Sequence, residues 1–408
     1  MSVVPDQHTV APSPGSAVAP RVTVRRVEIL PMKVRLNFRR TLSKGVVAGD
    51  NERPWVGDPV LIRIESTDGV SGFAQVRPPT PWLGETTDSV VAALRHYFGP
   101  ALIGSDALER ELIGPRLDHL LPGNLVALTG VDIALHDLVG RTFGLPIYSL
   151  LGGARTPIPM DWSISLNPPE NMLEEAVRAV TEFGCRILCL KMGPSARWEE
   201  DIATFKRIRA EVGDHVEIGI DPNEGYDLAT TLRVLRALDA EHVAYVEQPL
   251  HRDDHVGLRL LRAQGLAPLL IDESAIHVSD VQRLIAAGCC DGLVLKLWKS
   301  AGFAGVRRMA TLAEASGLGT TLGGVAHGSL LEAAACAHLY SSLASPPLAA
   351  EFVLGLNVVD VDPIASAPEG FSVSDGSVRA PSGPGLGVEV DLDAARKLAL
   401  ASFVVDAA

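Results

Sequence analysis

The pattern of hydrophobic and polar positions changes from strand-like to helical within the first third of the chain. Strand-like runs occupy residues 22–34, 59–65 and 71–76. A Ser-Thr-Asp-Gly turn joins the second and third runs, which predicts a hairpin. Helical periodicity then covers residues 86–98, 106–119 and 126–143, and Gly144-Leu145-Pro146 is a helix-stop signal. This part of the chain therefore predicts an α+β unit.

From residue 156 onwards, apolar strand-like runs alternate with amphipathic helical segments. The runs are 158–164, 186–192, 216–220, 243–246, 269–271, 292–295 and 319–322. Strands that alternate with helices form βαβ units and a parallel sheet, and seven or eight units in about 200 residues favour a closed barrel over an open doubly wound sheet. We find no G-x-G-x-x-G after a strand and no phosphate-binding loop. The sequence thus predicts an α/β fold with a (β/α) barrel and lacks the usual nucleotide-binding signatures.

These changes of character divide the chain into four predicted segments. Residues 1–20 are rich in Ala, Pro, Ser and Val without the pattern of a secretory signal, and we expect a disordered tail. Residues 21–150 are expected to form an α+β capping domain, and residues 151–355 the barrel with the metal and catalytic residues. Residues 356–408 are rich in Gly, Pro and Asp near their start and are expected to pack back on the cap.

Composition and charge narrow the class of protein. The 408 residues are 47% hydrophobic and 21% charged, an ordinary globular balance, and the net charge of −13 argues against nucleic acid or an anionic membrane as partner. No apolar stretch approaches the roughly 18–20 residues of a membrane span. The 5 cysteines lack paired spacing, which argues against a disulfide framework or structural zinc and favours a reducing cytoplasm.

Three acidic residues end successive predicted barrel strands. Asp221 ends EIGID, Glu247 ends AYVE, and Asp272 ends LLID. The carboxyl ends of barrel strands meet at one rim, where barrel enzymes carry their chemistry. A single acid there would also suit a helix N-cap, but three in register form the hard oxygen-ligand set that Mg²⁺ prefers. Zinc would prefer histidine or cysteine ligands, and the sequence has no H-E-x-x-H motif.

Two lysines take the equivalent position in the flanking units. Lys191 ends the strand before that of Asp221, and Lys296 ends the strand after that of Asp272. Beside a dication and partly desolvated, a lysine has its neutral form favoured and works as a base near neutral pH. The two lysines could address opposite faces of one substrate carbon. The alternative is that they merely pair with the carboxylates.

Taken together, these motifs resemble the enolase superfamily, specifically the muconate lactonizing enzyme subgroup of the mandelate racemase/muconate lactonizing enzyme family. The resemblance runs over nearly the whole chain from about residue 25. It is carried in the barrel by LKMG (190–193), DPNEGY (221–226), VEQP (246–249), IDES (271–274) and LVLKLWKSAG (293–302). GVDIALHD (130–137), with Pro146 and Leu151-Gly152-Gly153, is similar to the family's passage from cap to barrel, and GPGLGVEVD (383–391) to its C-terminal segment.

The resemblance implies a modified (β/α)7β barrel with an N-terminal α+β cap. It implies Mg²⁺, with Mn²⁺ as a possible substitute, on the three acidic residues, and acid/base roles for Lys191 and Lys296. The implied chemistry is removal of the proton α to a carboxylate, with the dication stabilising the enediolate. A small carboxylate substrate and a homo-oligomer are expected as partners.

Cap loops set substrate choice in this family, and here they correspond to residues 37–58 and 78–85. These loops carry Trp55 and Trp82, for which packing within the cap is the alternative role. Asn223, Glu273 and Lys299 lie within the motifs above and are expected to support the site or bind substrate.

Two positions depart from the family pattern. Cys189 stands where a lysine usually precedes the catalytic one, which leaves the metal as the main positive neighbour of Lys191 and favours an acid or weaker-base role for it. For Cys189 itself we favour packing between strands over a nucleophilic role. After the seventh strand, Gly328 stands where a glutamate is usual, and His327 beside it is either a polar site residue or a hydrogen-bonded turn residue.

Two flanking lysines permit several reactions. We rank racemisation or epimerisation of an amino-acid derivative first, because inversion requires two opposed bases. Cycloisomerisation, or dehydration of a hydroxylated cyclic amino acid, comes second. Asp360-Val361-Asp362 has the spacing of a dipeptide-binding aspartate pair but lies late in the chain, so a dipeptide epimerase is not favoured. The remaining alternatives are a barrel that binds metal and ligand without turnover, and an unrelated metal-dependent hydrolase or aldolase on the same barrel.

Overall fold

The structure, a computed structural model, describes residues 20–34, 40–48, 57–324, 329–356 and 362–407. Trp55, His327 and Gly328 therefore lie outside the described residues, as do residues 1–19, half of the cap loop 37–58 (residues 37–39 and 49–56), and Asp360-Val361. None of the helices in the described ranges is long and apolar enough to cross a membrane.

An antiparallel sheet forms the centre of the first domain. Its strands are β1 Val24–Pro31, β4 Val60–Ser66, β5 Ser71–Val76 and, from the far end of the chain, β18 Phe403–Asp406. The order is β18-β1-β4-β5, with β4 and β5 joined as the predicted hairpin. A second hairpin, β2 Arg40–Leu42 and β3 Gly45–Ala48, extends towards the barrel, where Thr41 is bonded to Ser165 and Leu166.

Six α-helices follow the hairpin in the described part of this domain, and the second, third and fifth of them pack against the sheet. They are α1 Thr80–Leu83, α2 Thr87–Ala93, α3 Gly99–Leu102, α4 Arg110–Leu120, α5 Leu125–Phe143 and α6 Ile147–Leu150. The periodic segment 86–98 is not one α-helix, because its last turn, Leu94–Phe98, is a π-helix. The buried helix α5 lies directly against β5: a Cβ at Gly72 would be 2.2 Å from the carbonyl oxygen of Ala134. Glycine at this position allows the close approach.

Eight parallel strands form the barrel. They are β7 Asp161–Ile164, β8 Ile187–Lys191, β9 Glu217–Asp221, β10 Val243–Glu247, β11 Leu269–Ile271, β12 Gly292–Leu295, β13 Gly319–Gly323 and β14 Ala350–Glu351. They are hydrogen-bonded in chain order, and a parallel bridge from Met160 to Ala350 closes the ring. Each predicted run lies on a strand, although run 158–164 is divided between two strands. The eighth strand was not predicted.

Seven helices connect the barrel strands and give the (β/α)7β architecture. They are α7 Pro169–Thr181, α8 Trp198–Val212, α9 Leu228–Ala237, α10 His255–Arg262, α11 Val278–Ala287, α12 Gly302–Ala315 and α13 Leu330–Tyr340. Short 3₁₀ turns lie at Ala107–Glu109, Ser195–Arg197, Asp239–Glu241 and Val353–Leu356.

The last part of the chain pairs with both halves of the molecule. Its elements are β15 Ala365–Ser366, β16 Ser377–Arg379, β17 Glu389–Val390 and α14 Leu392–Leu398. β16 pairs with β6 Pro157–Pro159 at the start of the barrel, while β18 pairs with β1 of the cap.

Asp137 ties three of these segments together. From α5, one carboxylate oxygen accepts from Leu386 N at 2.7 Å in the C-terminal segment. The other accepts from Phe73 N at 2.8 Å in β5 and from Arg141 Nε at 2.9 Å. Asp137 is fully buried, so these donors are its substitute for water.

Replacing this residue should cost stability without touching the barrel rim. We expect Asp137→Ala to lower the free energy of unfolding by about 3–5 kcal/mol, because it breaks a buried ion pair and leaves two amides without an acceptor. Chemical denaturation measures the change. Asp68→Ala, in the exposed hairpin turn, is the control and should stay within about 0.5 kcal/mol of wild type. Equal stability of the two variants would contradict this role.

Candidate active site at the barrel mouth

Three carboxylates lie on one arc of the barrel rim. Asp221 and Glu247 are the last residues of β9 and β10, and Asp272 directly follows β11. These strands are neighbours, so the regular register of the parallel sheet brings the three side chains to the same level. Each residue is at most 2% exposed. The structure thus brings together the three acids that the sequence singled out.

Lys191 and Lys296 lie on opposite sides of the mouth. They extend β8 and β12, which are four strands apart in either direction around the eight-stranded ring. Lys191 Nζ donates to Asp221 Oδ2 at 2.5 Å, and Lys296 Nζ donates to Asp272 Oδ2 at 2.5 Å. Both ammonium groups line the same pocket. The two lysines thus lie across one pocket from each other.

The charges of the carboxylates control the protonation of these lysines. Burial lowers the pKa of Lys191, but the charges of Asp221 and Glu351 outweigh it, and the pKa is well above its usual value. Burial also lowers the pKa of Lys296, but the negative charges of Asp272 and Glu247 outweigh this effect, so the pKa of Lys296 is raised. By themselves, then, the carboxylates favour the ammonium forms. The neutral, basic form depends on added positive charge that engages the carboxylates.

Glu247 is the carboxylate whose charge is least compensated. Burial, and next the charge of Asp221, raise its pKa well above the usual value. Its Oε1 is buried without a hydrogen-bond partner among the described residues, and Lys296 Nζ is 4.0 Å away. By contrast, Lys296 and Lys299 overcome the effect of burial and lower the pKa of Asp272. An unpaired oxygen between two further carboxylates fits a bound dication.

Two other predicted residues hold two of these acids in place, and a third contacts one of the two. Asn223, at a positive φ of 45°, donates from its backbone N to Asp221 Oδ1 at 2.8 Å and from Nδ2 to Asp221 Oδ2 at 3.0 Å. Lys299 Nζ donates to Asp272 Oδ1 at 2.6 Å. Glu273 accepts from Asn223 Nδ2 at 3.4 Å, and burial, then Asp272 and Asp221, raise the pKa of Glu273 to about 7.

Trp82 brings the cap to the barrel mouth. Its Nε1 donates to Glu273 Oε1 at 3.2 Å, and its ring makes an edge contact with Trp298 at a centroid distance of 6.3 Å. Both rings line the pocket. Trp82 of the cap therefore contacts barrel residues at the mouth of the pocket, which is the position expected of a cap residue that restricts which substrates can bind.

The far wall of the pocket holds residues that the sequence analysis missed. Arg40, from β2 of the cap, donates to Glu351 Oε1 at 3.0 Å and to the carbonyl oxygen of Ser163 at 2.8 Å. Glu351 ends β14, and its position resembles that of the other rim acids. That strand has only two residues and no apolar run by which a strand could be predicted. The one sequence signal for a rim position here was an acidic residue directly after Ala349-Ala350. Arg40 is 311 residues away in the sequence.

Cys189 lies inside the barrel, one level below Lys191. It packs with Tyr245, Leu270 and Val294, which confirms the predicted packing between strands. Burial raises the pKa of its thiol well above the usual value, and this argues against a thiolate nucleophile. Trp55 and His327 lie outside the described residues, and their roles stay predictions.

Comparisons with known proteins agree on one family. Residues 171–395 match the family model "Enolase C-terminal domain-like", and residues 57–152 match "Mandelate racemase / muconate lactonizing enzyme, N-terminal domain". Chloromuconate cycloisomerase of Pseudomonas putida is 31% identical over 338 residues, which cover 83% of this chain and 90% of that protein. L-Ala-D/L-Glu epimerase of Clostridium acetobutylicum is 32% identical over 278 residues, 68% of this chain and 77% of that protein.

A solved structure agrees over almost the whole length. The dipeptide epimerase of Cytophaga hutchinsonii, in complex with Mg and the dipeptide D-Ala-L-Val, has a TM-score of 0.84 and is 26% identical. The match covers 94% of this chain and 100% of that one.

A glycine beside Lys296 allows a test of how the site is packed. A Cβ at Gly323 in β13 would lie 2.3 Å from Lys296 Cε, so Gly323→Ala should displace the lysine stem and lower the free energy of unfolding by about 1–3 kcal/mol. Denaturation measures the loss. Gly319→Ala in the same strand meets nothing within 4 Å and should change stability by less than about 0.5 kcal/mol. Indistinguishable variants would show that Lys296 has room to move.

Proposed function

Because this chain belongs to the mandelate racemase/muconate lactonizing enzyme family of the enolase superfamily, we propose that it removes the proton next to a substrate carboxylate and returns one to the opposite face. The reaction is racemisation or epimerisation of an amino-acid derivative. The observation that carries this proposal is the opposition of Lys191 and Lys296 across one pocket. Inversion at a carbon needs a proton acceptor on one face and a donor on the other.

Asp221, Glu247 and Asp272 hold Mg²⁺ in this proposal. The all-oxygen set on three adjacent strands supports the assignment, as does Glu247 Oε1, which accepts no hydrogen bond from any residue that the structure describes. When bound, the dication neutralises the negative charge that develops on the substrate carboxylate as the α-proton leaves. Asn223 and Lys299 orient the acids through their hydrogen bonds to Asp221 and Asp272.

The lysines carry the proton. One lysine, neutral, accepts the α-proton at Nζ, and the other, as ammonium, donates from Nζ to the opposite face of the resulting enediolate. For the reverse direction the two exchange roles. Their short contacts with Asp221 and Asp272 fix each Nζ at the rim, so little motion is needed for either transfer.

The other end of the pocket supports a substrate with a polar or charged distal group. Arg40 and Glu351 form an ion pair there, and Trp82 and Trp298 supply apolar faces. An N-acylated amino acid or another amino-acid derivative offers a carboxylate for the metal and a distal group for this wall. The epimerase relatives act in this chemical class.

Cycloisomerisation is the second candidate. It is favoured by the chloromuconate cycloisomerase relative, which this chain matches as closely as the epimerase. Such a reaction uses proton transfer at one face, so a single lysine suffices.

Metal binding should be visible as stabilisation. Mg²⁺ at about 100 times its Kd should add about 2.7 kcal/mol to the free energy of unfolding relative to protein in chelator. Glu247→Gln should lose most of this gain, yet be at least as stable as wild type in chelator because it removes like-charge repulsion. Thermal unfolding measures both. Glu217→Gln, exposed at the start of β9, is the control and should respond like wild type; an equal response from Glu247→Gln would refute this ligand assignment.

Both lysines should be required for inversion. We expect Lys191→Ala and Lys296→Ala each to lower the rate of conversion between enantiomers or epimers by about 10²–10⁴-fold, because each removes a positioned acid/base group. Chiral chromatography with a panel of N-acylated and N-methylated amino acids measures the rate. Lys206→Ala, a half-exposed helix lysine, should keep wild-type activity. Inversion that survives loss of either lysine would favour a one-base reaction.

The ion pair in the far wall should set substrate preference. Glu351→Gln leaves the Arg40 guanidinium without its carboxylate partner, so the ratio of kcat/KM for anionic over cationic distal groups should rise at least about tenfold, or 1.4 kcal/mol. Steady-state kinetics on two substrates that differ only in this group give the ratio. If all substrates slow equally, Glu351 acts on the reaction and not on selection.

A further inference from the structure

The thiol of Cys189 lies close to two of the rim carboxylates, those of Asp221 and Glu247. Cys189 and Lys191 are two residues apart on β8, so both point into the barrel. Cys189 Sγ, a carboxylate oxygen of Asp221 and one of Glu247 all lie within 4.8 Å of one another, and all three residues are buried. These three residues belong to adjacent strands, β8, β9 and β10. The thiol therefore belongs to the same cluster as two of the acids assigned to the metal.

A second observation points to a ligand at this place. Glu247 is 2% exposed, and its Oε1 has no hydrogen-bond partner in the described part of the chain. Leaving such an oxygen unpaired costs free energy unless something binds it. Lys296 Nζ lies 4.0 Å from this oxygen, and the Asp221 carboxylate and the Cys189 sulfur near Glu247 form with it a mixed ligand set for a cation.

The surroundings hold the sulfur in this position and keep it dry. Cys189 pairs in register with Gly219, and the ring of Tyr245 occupies the space where a side chain at Gly219 would lie, with its Cζ 2.2 Å from the ideal Cβ position. Tyr245 is itself fixed, because its hydroxyl donates to Asp161 Oδ2 at 2.6 Å. Leu270 and Val294 complete the apolar layer. This apolar layer surrounds the sulfur at its own level, and the carboxylates of Asp221 and Glu247 lie one level nearer the mouth, with Lys191.

We propose that Cys189 is a ligand to the dication held by Asp221 and Glu247, so that the site selects thiophilic dications such as Zn²⁺ and Co²⁺. This inference rests on the proposed metal site. Carboxylates and water suit Mg²⁺ and Mn²⁺, whereas a thiolate shifts the preference of a site towards softer metals. Mg²⁺ uses the carboxylates alone. When a thiophilic metal binds, the S–H bond breaks, the metal–sulfur bond forms, and the proton leaves to solvent with no change of oxidation state.

The residue type at this position decides the outcome. A lysine ammonium at this position would place a cation next to the metal and could not ligate it. Cysteine removes that charge and adds a donor. A purely structural role would be served equally by valine, because the other contacts of Cys189 are apolar. Cys189→Val and Cys189→Ser therefore separate ligation from packing.

Spectroscopy with Co²⁺ alone tests the proposal without a substrate. Full-length protein, freed of metal and kept reduced, is titrated with Co²⁺ while the near-ultraviolet thiolate-to-cobalt charge-transfer absorption is followed. Wild type should develop this band and saturate at one Co²⁺ per chain. Cys185→Ser is the matched control: its cysteine is also buried but is not part of the acidic cluster, and the variant should keep the band.

Calorimetry with Zn²⁺ and Mg²⁺ completes the test. Cys189→Ser and Cys189→Val should lose the cobalt band and bind Zn²⁺ at least about tenfold more weakly, while Mg²⁺ affinity stays within about twofold of wild type. Unfolding curves in chelator show that both variants are folded. Absence of the band in wild type, or an unchanged Zn²⁺/Mg²⁺ ratio in both variants, would overturn the proposal while leaving the metal-dependent function intact. If wild type binds no dication at all, both the proposal and the proposed function fail.

Discussion

The burial of like charges on adjacent strands is the constraint on which this site depends. Asp221, Glu247 and Asp272 are removed from water within one arc of the rim, and desolvating even one carboxylate is expensive unless a cation accompanies it. Lys191, Lys296 and Lys299 form close ion pairs with the outer two acids, whereas the middle one keeps an oxygen that has no hydrogen-bond partner in the described ranges. In the proposed function, a dication completes this arrangement. Its binding would also lower the pKa of the lysines towards the range in which they act as bases.

The barrel converts a simple spacing into this arrangement. Parallel strands in unbroken chain order place one rim residue per βα unit, so consecutive acids become neighbours, while lysines four strands apart become opposite. Two glycines make room inside the ring. Gly323 leaves space for the stem of Lys296, and Gly219 leaves space for the ring of Tyr245. The cap then closes the mouth from a distant part of the sequence through Trp82 and Arg40.

How much of this could be predicted depends on the range of the interactions. The three acids and two lysines could be predicted from the sequence because each ends an apolar run, which is a local signal. The regular order of the barrel strands then brings their side chains together at one rim. Asn223, Glu273 and Lys299 lie beside them in the same motifs, and the structure places all three at the acids. The pairing of Arg40 with Glu351 could not be predicted from the sequence, because it joins the cap to a two-residue strand that shows no hydrophobic periodicity. Cys189 was expected to pack, which it does, but its closeness to Asp221 and Glu247 arises only when three strands come together.

In the proposed reaction, Lys191 and Lys296 face opposite sides of one substrate carbon. Deuterium incorporation at the α-carbon of each separate enantiomer in D₂O, measured by NMR for the two single-lysine variants, tests this arrangement. Each variant should still exchange one enantiomer and not the other, and the two variants should exchange opposite enantiomers, because the remaining lysine reaches only its own face. Exchange of the same enantiomer by both variants, or of both enantiomers by either, would contradict it.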